Sequence, residues 1–116
     1  MTSGPQAYVE VDVDEARRRH EAGAVLLDVR NPDEWTAGRA EGSTWIPMDE
    51  ITARRDELPR DHDIVVICQM GARSARVAQA LNAWGFTAAN VVGGLLAWAD
   101  AGYPVVTEDG TPGTVA

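Results

Sequence analysis

The sequence predicts an α/β fold, a five-stranded and mostly parallel sheet flanked by helices on both faces. Three observations carry that expectation. Short apolar runs alternate with helical patterns along the chain, the signature of strand–helix–strand layering. Two of those runs, "AVLLDV" (24–29) and "DIVVI" (63–67), have almost no polar interruption, as suits strands covered on both faces. A length of 116 residues is enough for one domain with a real core.

Taken in order, residues 1–7 read as a flexible lead-in and residues 8–105 as the domain. "YVEV" (8–11) is a first strand, and Asp12 caps a helix that Gly23 stops. The second strand, 24–29, leads to "NPDEWTAG", with Asn31 as cap, Pro32 at the first helical position and Gly38 as terminator. "STWIP" is a third short strand, after which Asp49 is placed to cap a helix ending before Pro59. "DIVVI" is the fourth strand. The following helix puts Val77, Leu81 and Trp84 on one face, with Gly85 at its C-terminal cap. "AANVV" is the fifth strand and "GGLLAWADAG" the last helix. Residues 106–116 have the composition of a disordered tail.

Charge and cysteine usage exclude several functions. The net charge is −8, and all ten basic residues are arginine; general nucleic-acid binding needs a basic face instead. No apolar run approaches the ~18 residues of a membrane span, and "MTSGPQ" has no secretory pattern. One cysteine can form neither an internal disulfide nor a cysteine-based zinc site. The expectation is a reducing, cytoplasmic setting with no metal, no nucleic acid and no membrane partner; the oligomeric state is not readable from the sequence.

The one cysteine, Cys68, stands at the carboxyl end of the fourth strand, where parallel sheets place their ligands. A cysteine ending an apolar strand is often only core. Its loop argues otherwise. "CQMGAR" (Cys68, Gln69, Met70, Gly71, Ala72, Arg73) runs into a helix N-terminus whose free N–H groups and dipole favour a thiolate. Gly71 permits a tight curl, so the amides of Gln69 to Arg73 can form an anion-binding nest around the sulfur. Arg73 adds a fixed charge at the helix start.

At this point the chain resembles a single-domain rhodanese (sulfurtransferase) domain. The resemblance rests on "LLDVR" (26–30), "EW…GR…G…IP" (34–47), "CQMGARS" (68–74) and "NVVGGLLAWADAGYPV" (90–105), in that order. It implies a five-stranded parallel sheet and a persulfide mechanism. Cys68 would attack the outer sulfur of a small donor such as thiosulfate, polysulfide or a persulfide. The resulting Cys–S–SH would be discharged by cyanide, a thiol or a sulfur-acceptor protein, in two simpler displacements. No cofactor is implied. Asp28 and Arg30 match the family's D-x-R and would brace the loop and present charge at its rim, the alternative being a structural ion pair or a helix-capping arrangement; Ser74 closes the loop motif.

Loop length separates sulfur from phosphate chemistry. In cysteine-dependent phosphatases the arginine stands one position further from the cysteine, which widens the cradle. Here Arg73 lies five positions after Cys68, and the tighter ring suits a single sulfur atom. Relatives that favour thiosulfate often carry a basic loop residue, where this chain has the uncharged Met70 and Ala72. His20, His62 and the "RRR" run (17–19) read as solvated surface, Glu34 and Trp35 as structural, and Trp84 and Trp98 as core. The alternative function is a non-catalytic rhodanese module for protein binding or regulation. Such modules often lack the cysteine that this loop retains.

Overall fold

Strand β5 (Asp63–Ile67) shows how the apolar residues divide between two cores. Successive side chains of a strand point to opposite faces. Ile64 and Val66 therefore join one buried cluster, and Val65 and Ile67 the other. Its neighbour β2 (Val25–Asp28) splits the same way, Leu27 to the first cluster and Leu26 to the second. Continuing the alternation, Cys68 falls in the first cluster with Ile64 and Val66.

The computed structural model describes residues 8–116, so the expected lead-in lies outside the described residues. The main sheet has the order β1 (Val9–Val11), β6 (Thr87–Val91), β5, β2, β4 (Thr44–Trp45), and every pairing in it is parallel. On one face, α3 (Ile51–Arg54) and α4 (Ala72–Ala83) supply Ile51, Val77, Ala78 and Leu81 to the first cluster. On the other, α1 (Val13–Glu21) and α5 (Gly94–Asp100) supply Val13, Ala16, Leu95 and Trp98. The expected α/β fold with helices on both faces is the one observed.

The helix caps follow the sequence closely at the N-terminal side. Asp12 accepts from the Glu15 amide at 2.8 Å, the usual service of an N-cap aspartate. At the start of α2 (Pro32–Ala37) Glu34 reaches back to accept the Asn31 amide at 2.9 Å, as in a capping box. Asp49 does not cap a helix. Residues 48–57 form a 3-10 turn, the four-residue α3 and a second 3-10 turn, because so short a segment gains little from regular helix propagation.

Two further strands carry no signal in the sequence. β3 (Arg39–Ala40) and β7 (Val105–Val106) pair antiparallel as a separate two-stranded sheet; two residues are too few to show a period. The segment expected to be a disordered tail from Val106 also departs from that reading. Thr107 donates its amide to Thr111 O at 2.8 Å, and Asp109 accepts from both threonine hydroxyls. Gly113 bonds Val105 O at 2.8 Å, Thr114 bonds Ala37 O at 2.9 Å, and Val115 packs on the second cluster. Backbone pairing and a local Asx-type turn hold what a polar composition alone does not.

Candidate active site

Between the end of β5 and the start of α4, the chain turns at Gly71, the N-cap of α4, with φ of +111°. That left-handed backbone is open to glycine and strained for other residues. The turn brings three donors to Cys68 Sγ: the Gly71 amide at 3.1 Å, the Ser74 amide at 3.4 Å and the Ser74 hydroxyl at 3.2 Å. Cys68 is only 1% exposed. Burial, the largest influence, pushes its thiol pKa up. The Ser74 hydroxyl and the amides of Ser74, Gly71 and Met70 pull it down and win, leaving it below its ordinary value.

The loop is held from behind by α5. Leu95 and Leu96 donate their amides to Cys68 O (2.8 Å) and Gln69 O (3.1 Å). These are first-turn amides of a helix, which have no partner inside it. The approach is possible because residue 94 is glycine: a Cβ there would lie 2.5 Å from both loop carbonyls. With its carbonyls tied outward, the loop turns its amides toward the sulfur.

Asp28 and Arg30 form a buried ion pair, and Arg30 alone reaches the loop, through Gln69; neither presents the expected charge at the rim, since both side chains are fully buried. Arg30 Nε lies 3.0 Å from both Asp28 carboxylate oxygens, and one terminal nitrogen is 2.9 Å from Oδ2. The remaining donors reach Gly38 O at 2.6 Å and Gln69 Oε1 at 3.3 Å. Burial pushes the Asp28 carboxyl pKa up, and Arg30 opposes that shift. The reason for the difference is saturation. A buried guanidinium must satisfy its donors, and here carboxylate, backbone and Gln69 take them.

Arg73 stands in the first turn of α4 with a carboxylate partner from α2. It is not among the groups that bond Cys68; it donates to Glu34 at 2.7 and 2.9 Å in a bidentate pair. The pair holds the Glu34 carboxyl below its ordinary range. Glu34 thus serves both the capping box of α2 and the site loop, a role its sequence position did not reveal. Trp35 stacks on Trp45 at 5.3 Å, and Trp45 Nε1 donates to Arg30 O at 2.8 Å.

Two residues outside the cysteine loop, Asn90 and Glu10, also join the site. Asn90 of β6, 2% exposed, lies with Oδ1 2.6 Å from the Ser74 hydroxyl. Its Nδ2 is 3.2 Å from Glu10 Oε2 on β1. Only the parallel pairing of β1 with β6 brings Glu10 and Asn90 together. Met70, at the tip of the loop, is 70% exposed. Gln69, Met70, Gly71, Ala72, Arg73 and Ser74 therefore play different parts: anchor, exposed tip, turn, helix start, ion pair and hydrogen-bond donor to Sγ. Among the described residues no group of His, Cys, Asp and Glu is arranged to hold a metal, and no helix is long and apolar enough to cross a membrane.

Chemically, the arrangement stabilises negative charge on a buried sulfur through neutral dipoles. The family model for the rhodanese-like domain matches residues 12–101. A sulfurtransferase of Allochromatium vinosum is 37% identical over 87 residues, covering 74% of this chain and 81% of that protein. Thiosulfate sulfurtransferase 18 of Arabidopsis thaliana is 35% identical, covering 92% and 90%. The crystal structure of a rhodanese-related protein from Thermoplasma volcanium superimposes with a TM-score of 0.82 at 35% identity, covering 87% of this chain and all of that one. With its parallel sheet and its cysteine loop closing on a helix start, the chain belongs to the rhodanese-like family.

Proposed function

We propose that this protein is a sulfurtransferase that carries a sulfane sulfur as a persulfide of Cys68. The observation that carries the reading is the ring of three donors within 3.1–3.4 Å of Sγ. A thiolate so held attacks the outer sulfur of a donor, and the donor's S–S bond breaks with its electron pair on the leaving group. An acceptor thiol or cyanide then attacks the outer sulfur of Cys68–S–SH, and the Sγ–S bond returns its pair to Cys68. The ring closes on the sulfur itself, which favours sulfur transfer over a phosphatase cradle sized for a tetrahedral oxyanion. The donor is a small sulfur compound and the acceptor a thiol, small or protein-borne. A single thiol and no disulfide suit a reducing, cytoplasmic setting.

Intact mass spectrometry after incubation with thiosulfate or polysulfide tests the reading. The wild type should gain one sulfur that a reducing thiol removes, and Cys68→Ser should fold, gain none and transfer none. A wild type that stays unloaded with every donor would leave the non-catalytic module as the better account.

A further inference from the structure

Ser74 has one hydroxyl proton and two neighbours that want it. Its oxygen is 3.2 Å from Cys68 Sγ and 2.6 Å from Asn90 Oδ1. The orientation of the Asn90 amide is set on its far side by Glu10. A carboxylate accepts and cannot donate, so it takes Nδ2 and leaves Oδ1 facing Ser74. Oδ1 in turn can only accept. While that bond is made, the Ser74 proton points away from the sulfur and Ser74 turns a lone pair to Sγ, which a thiol S–H can donate to and an uncharged persulfide Sγ does not oppose as an anion would. An anionic Sγ draws the proton to itself and leaves Asn90 Oδ1 buried without a donor.

We propose that Asn90, oriented by Glu10, is a positioning residue that turns the Ser74 hydroxyl between Cys68 and itself according to the charge on Sγ. The proposal rests on the persulfide reading for its role in turnover. Sγ is anionic before it attacks the donor, and the proton faces it. In Cys68–S–S⁻ the charge sits on the outer sulfur and Sγ is neutral, so the proton returns to Asn90. When an acceptor takes the outer sulfur, Sγ leaves as thiolate and the proton swings back to assist it. Glu10 and Asn90 thus favour the loaded form over the free thiolate. Ser74 and Asn90 are both buried, 0% and 2% exposed, so water does not relieve the competition.

The test reads Cys68 alkylation against pH, which requires no sulfur transfer. Other charged groups bear on the same sulfur: Arg73 with its partner Glu34, the Asp28–Arg30 pair at the end of β2, and Glu10 itself. The comparison therefore uses a double-mutant cycle. Glu10→Gln, on an exposed position, can donate to Asn90 Oδ1 as a carboxylate cannot, which lets Asn90 flip and offer Nδ2 to Ser74; Asn90→Ala removes the competitor. Both should lower the alkylation midpoint and raise the rate below it about three- to tenfold, the weight of one hydrogen bond. Ser74→Ala should raise the midpoint, and Ser74→Ala/Glu10→Gln should match Ser74→Ala alone. If Glu10→Gln keeps the wild-type profile, or shifts it equally without Ser74, the proton switch is wrong and Glu10 acts at most as a distant charge. Should Asn90→Ala not fold, the Glu10 and Ser74 cycle still decides. Persulfide loading of the wild type, followed by mass, reports separately on sulfur transfer.

Discussion

Arg73 and Glu34 clasp the first turns of two helices, α4 and α2, through a bidentate ion pair at 2.7 and 2.9 Å across a sequence separation of 39 residues. The side chains are 32% and 16% exposed, so the pair is partly screened by solvent.

Glu34→Gln should lower unfolding stability by about 1 kcal/mol near neutral pH, since a screened pair is worth little more. The pH dependence follows from the direction of the shift. The folded-state pKa of Glu34 lies below its ordinary value of 4.5, so its stabilisation is complete above that value. It is lost as pH falls through the folded-state pKa. Urea unfolding should therefore show the two proteins diverging at neutral pH and converging in acid. A gap that persists unchanged in acid would mean the loss comes from packing rather than charge.

Asp28→Ala should cost far more, about 3–5 kcal/mol, because it strands a buried guanidinium. Thermal unfolding measures it. Loop disorder should accompany the loss, since Arg30 also holds Gln69. A variant with wild-type stability would show that water enters to solvate Arg30.

Gly94→Ala places a methyl group 2.5 Å from the carbonyls of Cys68 and Gln69, at a φ of +59°. Clash and backbone strain together should cost about 1–3 kcal/mol. Because the loop carbonyls must move, Cys68 alkylation should slow along with the loss of stability. Normal reactivity in a destabilised variant would uncouple α5 from the sulfur.

Met70→Lys should lower the KM for thiosulfate and leave kcat nearly unchanged. Wild-type turnover of this dianion is expected to be poor, with Met70 uncharged at the exposed loop tip and Arg30 and Arg73 already paired. A lysine there adds a point charge worth ~1 kcal/mol in an exposed site, and the gain should fade with salt. A low wild-type KM that the substitution does not change would assign donor binding to the amide nest alone.

What was legible in the sequence is what depends on near neighbours. The apolar runs 24–29 and 63–67, the Asn31–Pro32 helix start and the loop from Cys68 to Arg73 each carry their meaning within a few residues. The pairings that define the site do not. Arg73 with Glu34, Ser74 with Asn90, and Asn90 with Glu10 meet only after the strand order is set. The same holds for β3 with β7, which pair across most of the chain. A charge can be placed on a helix from local pattern, but which carboxylate neutralises it is a matter of topology.

The grip of Leu95 and Leu96 on the loop carbonyls has a consequence for biosynthesis. Cys68 precedes these residues in the chain, so the segment that fixes its loop carbonyls is made after the thiol itself. Until α5 docks, the two loop carbonyls lack these partners, and only the turn at Gly71 and the start of α4 hold donors toward the sulfur. The finished surroundings of the sulfur are therefore a property of the completed fold and not of the cysteine loop alone.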